Sequence, residues 1–81
     1  MKDETKKVIG SKLKLLRIEN ADTIETLAAK AKLSISTISR YENGSDMTIS
    51  NVVRILNCYD MDIGIFFDNV SAKMHEIKEK R

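Results

Sequence analysis

Apolar residues recur along this chain at intervals of three and four, the spacing of one helix face, and strict alternation is confined to one short stretch. Ile9, Leu13 and Leu16 mark the buried stripe of a first helix running from about Asp3 or Glu4 to about Asn20, with Val8 and Leu15 at its edges. Ile24, Leu27, Ala28 and Ala31 stand at i, i+3, i+4 and i+7 and predict a second helix, entered through a turn at Asn20–Asp22. Thr23 precedes it, where a hydroxyl can accept from the unpaired amides of the first turn. Lys32–Leu33 interrupts the pattern, and Ser34 is the candidate N-cap of a third helix reaching Glu42, with Ile38 and Tyr41 on its inner face. Asn43–Gly44 ends that helix, since Gly takes the left-handed cap conformation without a Cβ penalty. After a polar loop, Thr48 can cap a fourth helix whose apolar face is Ile49, Val52, Val53, Ile55 and Leu56, completed by Tyr59.

Asp60–Asp62 breaks the pattern, and two readings follow. Ile63, Phe66, Phe67, Val70, Met74 and Ile77 fall at helical spacing, whereas Ile63, Ile65 and Phe67 also fit a strand over 62–69. The helical pattern is longer, so a helix is the expectation, with Gly64 costing it about 1 kcal/mol relative to Ala. Two adjacent phenylalanines cannot both face the core of so small a domain. One is expected in a subunit interface, for which Tyr59, Met61, Ile65, Phe66 and Phe67 are the candidates. The alternative is a fifth core helix with an exposed phenylalanine and no dimer. Residues 1–69 are expected to form one domain and 70–81 a helical tail.

Composition narrows the class. Eighty-one residues suffice for one small core, and 42% hydrophobic residues without a long apolar run exclude a disordered or membrane-spanning chain. Proline is absent and glycine rare, which favours an all-α fold. The N-terminus MKDETKKVIG lacks the apolar segment of a signal peptide. Cys58 is alone, so neither an internal disulfide nor a multi-cysteine metal site can form, and a reducing cytoplasm is expected. The net charge of +2 implies little, but its distribution says more. Residues 1–44 carry nine Lys/Arg against six Asp/Glu, whereas residues 45–69 carry Arg54 against four aspartates. The positive half holds the two short helices and their turn, the sign expected of a surface that meets phosphates.

Those two helices, Thr23–Gly44, read as a helix-turn-helix. The outward side of the second carries Ser34, Ile35, Ser36, Thr37, Ser39 and Arg40, short polar residues around one guanidinium. A helix in the DNA major groove needs such side chains, small enough for close approach and able to donate and accept at base edges. The same pattern also suits a solvated face in any small bundle. Lys6, Lys7, Lys12 and Lys14 read as solvated. Arg17 lies on the inner side of the first helix, and Glu42 is its expected partner, setting the angle between two helices. Cys58 reads as a small packed hydrophobe and His75 as exposed. No triad, phosphate loop or metal-ligand set is visible, so an enzyme is the weakest class and no cofactor is expected.

With Ile9-Gly10, Leu13, Leu16-Arg17, Leu27-Ala28, Ser34, Thr37-Ile38-Ser39 and Glu42-Asn43-Gly44 in view, the chain resembles the XRE family, the phage-repressor and Cro-like helix-turn-helix proteins. The match runs without insertion from Ile9 to about Phe67. The resemblance implies a lambda-repressor-like bundle of five helices, with base-reading positions at Ile35, Ser36 and Arg40. Its phosphate-contacting positions fall around Thr23, Thr26, Ser39, Asn43 and Ser45, and Arg17 with Glu42 matches the pair that braces the motif. Three residues depart from the pattern. Lys32 replaces the usual turn glycine and must accept a left-handed backbone. Asp22 replaces an apolar residue, and Ile24 replaces a frequent glutamine, leaving backbone amides to bind a phosphate there.

The expectation is a sequence-specific transcriptional regulator that binds double-stranded DNA as a homodimer on a pseudo-palindromic operator. Without an effector domain it must act by occupying DNA, by touching RNA polymerase, or through a partner such as a toxin. Controllers of restriction–modification operons, antitoxins and phage repressors are all similar to it. A protein-interaction module that no longer reads DNA is the alternative class.

Overall fold

Hydroxyl and carboxylate caps start four of the helices of this chain. In the computed structural model, which describes residues 4–79, Thr23, Ser34 and Thr48 accept through their side chains from the amides of Thr26, Thr37 and Asn51. Asp62 Oδ1 does the same for the amide of Ile65 at 3.0 Å. The elements so defined are α1 (Glu4–Glu19), α2 (Ile24–Ala31), α3 (Ile35–Glu42), α4 (Ile49–Cys58) and α5 (Ile63–Glu79). The described residues contain no strand, so the helical reading of 62–69 holds and the strand alternative falls. A start at Asp3, and Lys80 and Arg81 of the expected tail, lie outside the described residues.

The ends of α1 to α4 share one device. Ala21, Lys32, Gly44 and Asp60 all have positive φ, between 51° and 84°. At each, the residue's own amide bonds the carbonyl three back, and the next amide bonds the carbonyl five back. At Gly44, for example, Gly44 N–H donates to Tyr41 O and Ser45 N–H to Arg40 O, both at 3.0 Å. Lys32, at φ 58° and ψ 44°, occupies the left-handed conformation without being glycine.

Packing follows the apolar stripes. α1 lies against α3 and α5, and α2 against α3 and α4. Leu13, Leu27, Ile38, Val52, Ile55 and Leu56 are fully buried at the centre. Gly10 allows the close α1–α3 contact: a Cβ there would lie 2.4 Å from Tyr41 O and 2.9 Å from Glu42 O. Two expected core residues lie outside: Ile49 and Ile63 are exposed, each being the first residue of its helix and overhanging the packed layer. Leu15, placed at an edge by the sequence, is about half exposed.

Of the phenylalanine pair one lies in the core and the other at its edge, in an order the pattern alone does not reveal. Phe66, a candidate interface residue, is only 3% exposed and joins Val70 in the core. Phe67 is half-buried at the core edge, its ring meeting that of Phe66 edge-on at 5.3 Å. Phe66 is therefore corrected to a core residue, because Phe66 and Val70 form the i, i+4 stripe of α5 that the core claims.

Candidate nucleic-acid interface

The N-termini of α2 and α3 carry two and three hydroxyls, respectively, held together by capping. Thr23 Oγ1 accepts the Thr26 amide at 3.0 Å and lies 2.9 Å from Thr26 Oγ1. The amides of Ile24 and Glu25, in the first turn, have no helical partner by geometry and are open to an acceptor. Ser34 Oγ accepts the Thr37 amide at 3.0 Å, donates to Thr37 Oγ1 at 2.7 Å and sits 3.2 Å from Ser36 Oγ. The cap therefore sets the rotamers of the hydroxyls as well as the helix start.

At 100° per residue, Ile35, Ser36, Ser39, Arg40 and Asn43 fall within one arc of about 140°, with Ile38 and Tyr41 on the opposite side. That arc is open: Ile35, Ser36, Arg40 and Asn43 are exposed and Ser39 is partly so. Among the described residues, neither helices nor loops cover it. Ser34 and Ser45, at the two ends of the helix, are exposed, and Thr37 is half-buried at the flank. Thr23 and Thr26 are exposed on α2. The structure thus places all ten sequence-derived positions at the surface, eight of them around α3 and two at the start of α2.

Arg40 is partly pre-positioned. One terminal nitrogen lies 3.4 Å from Thr37 Oγ1, and its other donors meet no acceptor among the described residues. A guanidinium tethered through one terminal nitrogen, with its Nε and other terminal donors free, suits the two acceptors of a guanine edge. Asn43 spends one amide hydrogen on Ser39 O at 3.0 Å, which leaves its carbonyl oxygen open.

The brace behind this surface is polar. Arg17 and Glu42 form a two-pronged pair, with Nε–Oε2 at 2.7 Å and Nη2–Oε1 at 3.0 Å. The Glu42 hydrogen bond raises the Arg17 pKa further and keeps the guanidinium charged. Arg17 Nη1 also donates to the carbonyl of Asp22 at 2.8 Å. Asp22, flagged by sequence only as a departure, accepts at Oδ2 from Lys30 Nζ and Tyr59 Oη, both at 2.8 Å. Lys30 first and Tyr59 second hold the Asp22 carboxyl below its ordinary pKa. Burial first and Asp22 second push the Tyr59 phenol up. Tyr41 ties α3 to α4, its hydroxyl oxygen accepting from the Thr48 amide at 3.3 Å and from Asn51 Nδ2 at 3.0 Å. Lys6 pairs with Asp46 beside the end of α3.

The interface candidates separate. Tyr59 and Met61 are half-buried at the α4–α5 junction, and Tyr59 spends its hydroxyl inside the chain. Ile65 and Phe67 are two residues apart, roughly 160° around α5 at helical spacing, so one flat face cannot hold both. Ile63, which sequence reasoning assigned to the core stripe, flanks Phe67 at i, i+4 and is 43% exposed. Cys58 is half-buried, donating weakly to Arg54 O, and burial raises its thiol pKa, as expected of a packed side chain. His75 is exposed, and no helix is long and apolar enough to cross a membrane among the described residues.

Comparison with known proteins gives one family and one group of structures. The family helix-turn-helix HTH_3 matches residues 13–66. The restriction–modification controller protein C.Esp1396I superposes with a TM-score of 0.82 over 93% of this chain and 99% of its own, at 24% identity, which speaks to the fold. The tetramer of that controller in complex with its natural 35 base-pair operator aligns at a TM-score of 0.78 and 25% identity, covering 88% of this chain and 95% of the other. No curated protein sequence matches.

Proposed function

The chain belongs to the helix-turn-helix family HTH_3, DNA-binding regulators of the XRE type, and from that premise we propose that it reads a pseudo-palindromic operator as a homodimer. The observation that carries the reading is the open polar arc of α3 around Arg40, unobstructed by the other described residues. Arg40 contacts a guanine by two donors, Ser36 and Thr37 exchange hydrogen bonds with neighbouring bases or phosphates, and Ile35 packs on a thymine methyl. Thr23, Thr26, Ser39, Asn43 and Ser45, with the first-turn amides of α2, hold the flanking phosphates. One such helix reads only a few base pairs. A two-fold pair with recognition helices about 34 Å apart reads two half-sites on one side of the duplex. The dimer forms through Phe67 and Ile63 on one flank of α5, next to Met61, while the Tyr59 hydroxyl is engaged by Asp22 within its own chain.

The context supported best is control of a restriction–modification operon. Support comes from the near end-to-end alignment with C.Esp1396I, a controller whose tetramer is held on its natural operator. Selection of bound sequences from a random DNA pool tests the whole reading. A two-fold consensus with half-sites one helical turn apart is expected. Failure to enrich any sequence would turn the assignment toward a protein-interaction module.

A further inference from the structure

We propose that the Tyr59–Asp22 hydrogen bond is a positioning element that fixes the half-site spacing this protein accepts. The proposal rests on the dimeric reading above and goes beyond it, since neither residue touches DNA in that reading.

Tyr59 closes α4 at the junction beside the proposed dimer flank, while Asp22 immediately precedes Thr23, the cap of α2. The two are 37 residues apart in sequence and 2.8 Å apart at Oη and Oδ2. The Asp22 side chain is 10% exposed, so water competes poorly for the bond. From Asp22 the connection continues through its carbonyl to Arg17 Nη1 at 2.8 Å, and from Arg17 to Glu42 at the last turn of α3. A single chain of directional contacts, Tyr59–Asp22–Arg17–Glu42, therefore runs from the dimer side of the domain to the recognition helix. Apolar packing alone permits small sliding of helices, whereas hydrogen bonds fix direction as well as distance. In a two-fold dimer, any rotation of the domain about the α4–α5 junction is multiplied by the distance from that junction to α3. The spacing of the two recognition helices then depends on how firmly this chain holds.

The side chains offer a clean dissection. Tyr59→Phe removes only the hydroxyl and leaves the ring beneath Lys30, whose ammonium lies 5.8 Å from the ring centre and still pairs with Asp22. Asp22→Ala removes the acceptor. Asp22→Asn keeps an oxygen for Tyr59 and loses the charge that Lys30 neutralises. The experiment measures binding of the 81-residue protein to the selected operator, to versions with one base pair added or removed between half-sites, and to a single half-site, with sedimentation of each variant alongside. Wild type should prefer the natural spacing. Tyr59→Phe and Asp22→Ala should dimerise normally and bind the half-site as wild type does, yet lose about 10-fold of the spacing preference, the scale of one hydrogen bond to a charged group. Asp22→Asn should retain the preference. Equal loss on every DNA, unchanged discrimination by Tyr59→Phe, or a weakened dimer overturns the proposal. If wild type binds the full operator no better than the half-site, the dimeric reading itself falls, and this one with it.

Discussion

Arg17 grips Glu42 side-on across the α1–α3 contact, with two nitrogen–oxygen distances of 2.7 and 3.0 Å and side chains only 11% and 6% exposed. The pair joins α1 to the last turn of α3, and a third donor of Arg17 reaches the backbone before α2. Its role is geometric more than energetic, because desolvation of both charges offsets most of their attraction. Removing one partner is a different matter. Glu42→Ala leaves a buried guanidinium without its counter-charge and should destabilise the fold by about 3–5 kcal/mol. Urea unfolding measures this, and a loss below about 1 kcal/mol would mean that solvent replaces the pair.

Gly10 makes a second prediction. An alanine Cβ would sit 2.4 Å from one backbone oxygen of α3, which cannot rotate away as a side chain would. Gly10→Ala should cost about 1–3 kcal/mol despite the better helix propensity of alanine. Gly64→Ala is the contrast, since its Cβ would meet only Asp62 Oδ1, at 3.0 Å. That change should be neutral or stabilising by up to about 1 kcal/mol. Thermal unfolding of the two variants would rank them, and similar values would contradict the close helix contact.

Acid should act through Asp22. Lys30 and then Tyr59 lower its carboxyl pKa in the folded chain, so the folded state favours the charged form. The stability this contributes is present above the unfolded value, about pH 4, and is lost as pH falls through the lower folded value. Wild type should therefore exceed Asp22→Asn in stability at neutral pH, with the difference shrinking below about pH 4. A difference independent of pH would remove the charge from the explanation.

The phenylalanine pair predicts opposite outcomes for one substitution. Phe66→Asp places a carboxylate in the core and should prevent folding, whereas Phe67→Asp should give a folded monomer. Ile65→Asp, on the other flank of α5, should leave the dimer intact. Circular dichroism and sedimentation distinguish these cases. A dimeric Phe67→Asp with a monomeric Ile65→Asp would move the interface to the opposite flank.

What the sequence makes legible is local. The caps Thr23, Ser34 and Thr48 are visible because a hydroxyl before an apolar repeat has a short-range reason to be there. Stops are harder: Gly44 announces itself, the breaks at Asn20–Asp22 and Asp60–Asp62 are visible without showing that Ala21 and Asp60 turn left-handed, and the left-handed Lys32 is reached only through the family resemblance. Arg17 and Glu42 are paired by elimination, as the inward charges of two helices. Asp22 looks merely anomalous, because the tyrosine that explains it arrives 37 residues later and only folding brings them together. The choice between Phe66 and Phe67 likewise depends on the direction from which α1 approaches α5, which periodicity does not encode. The open arc of α3 is legible as a pattern; its exposure is a property of the packed bundle.

The most direct test of DNA reading by that arc is titration of Arg40→Ala against the selected operator and a set of single-base mismatches, over a range of salt. Loss of about 1–3 kcal/mol on the matched operator, with selectivity relaxed at one base pair per half-site and the salt dependence little changed, is the predicted result. Wild-type affinity and an unaltered mismatch profile would contradict it and remove α3's guanidinium from the recognition surface.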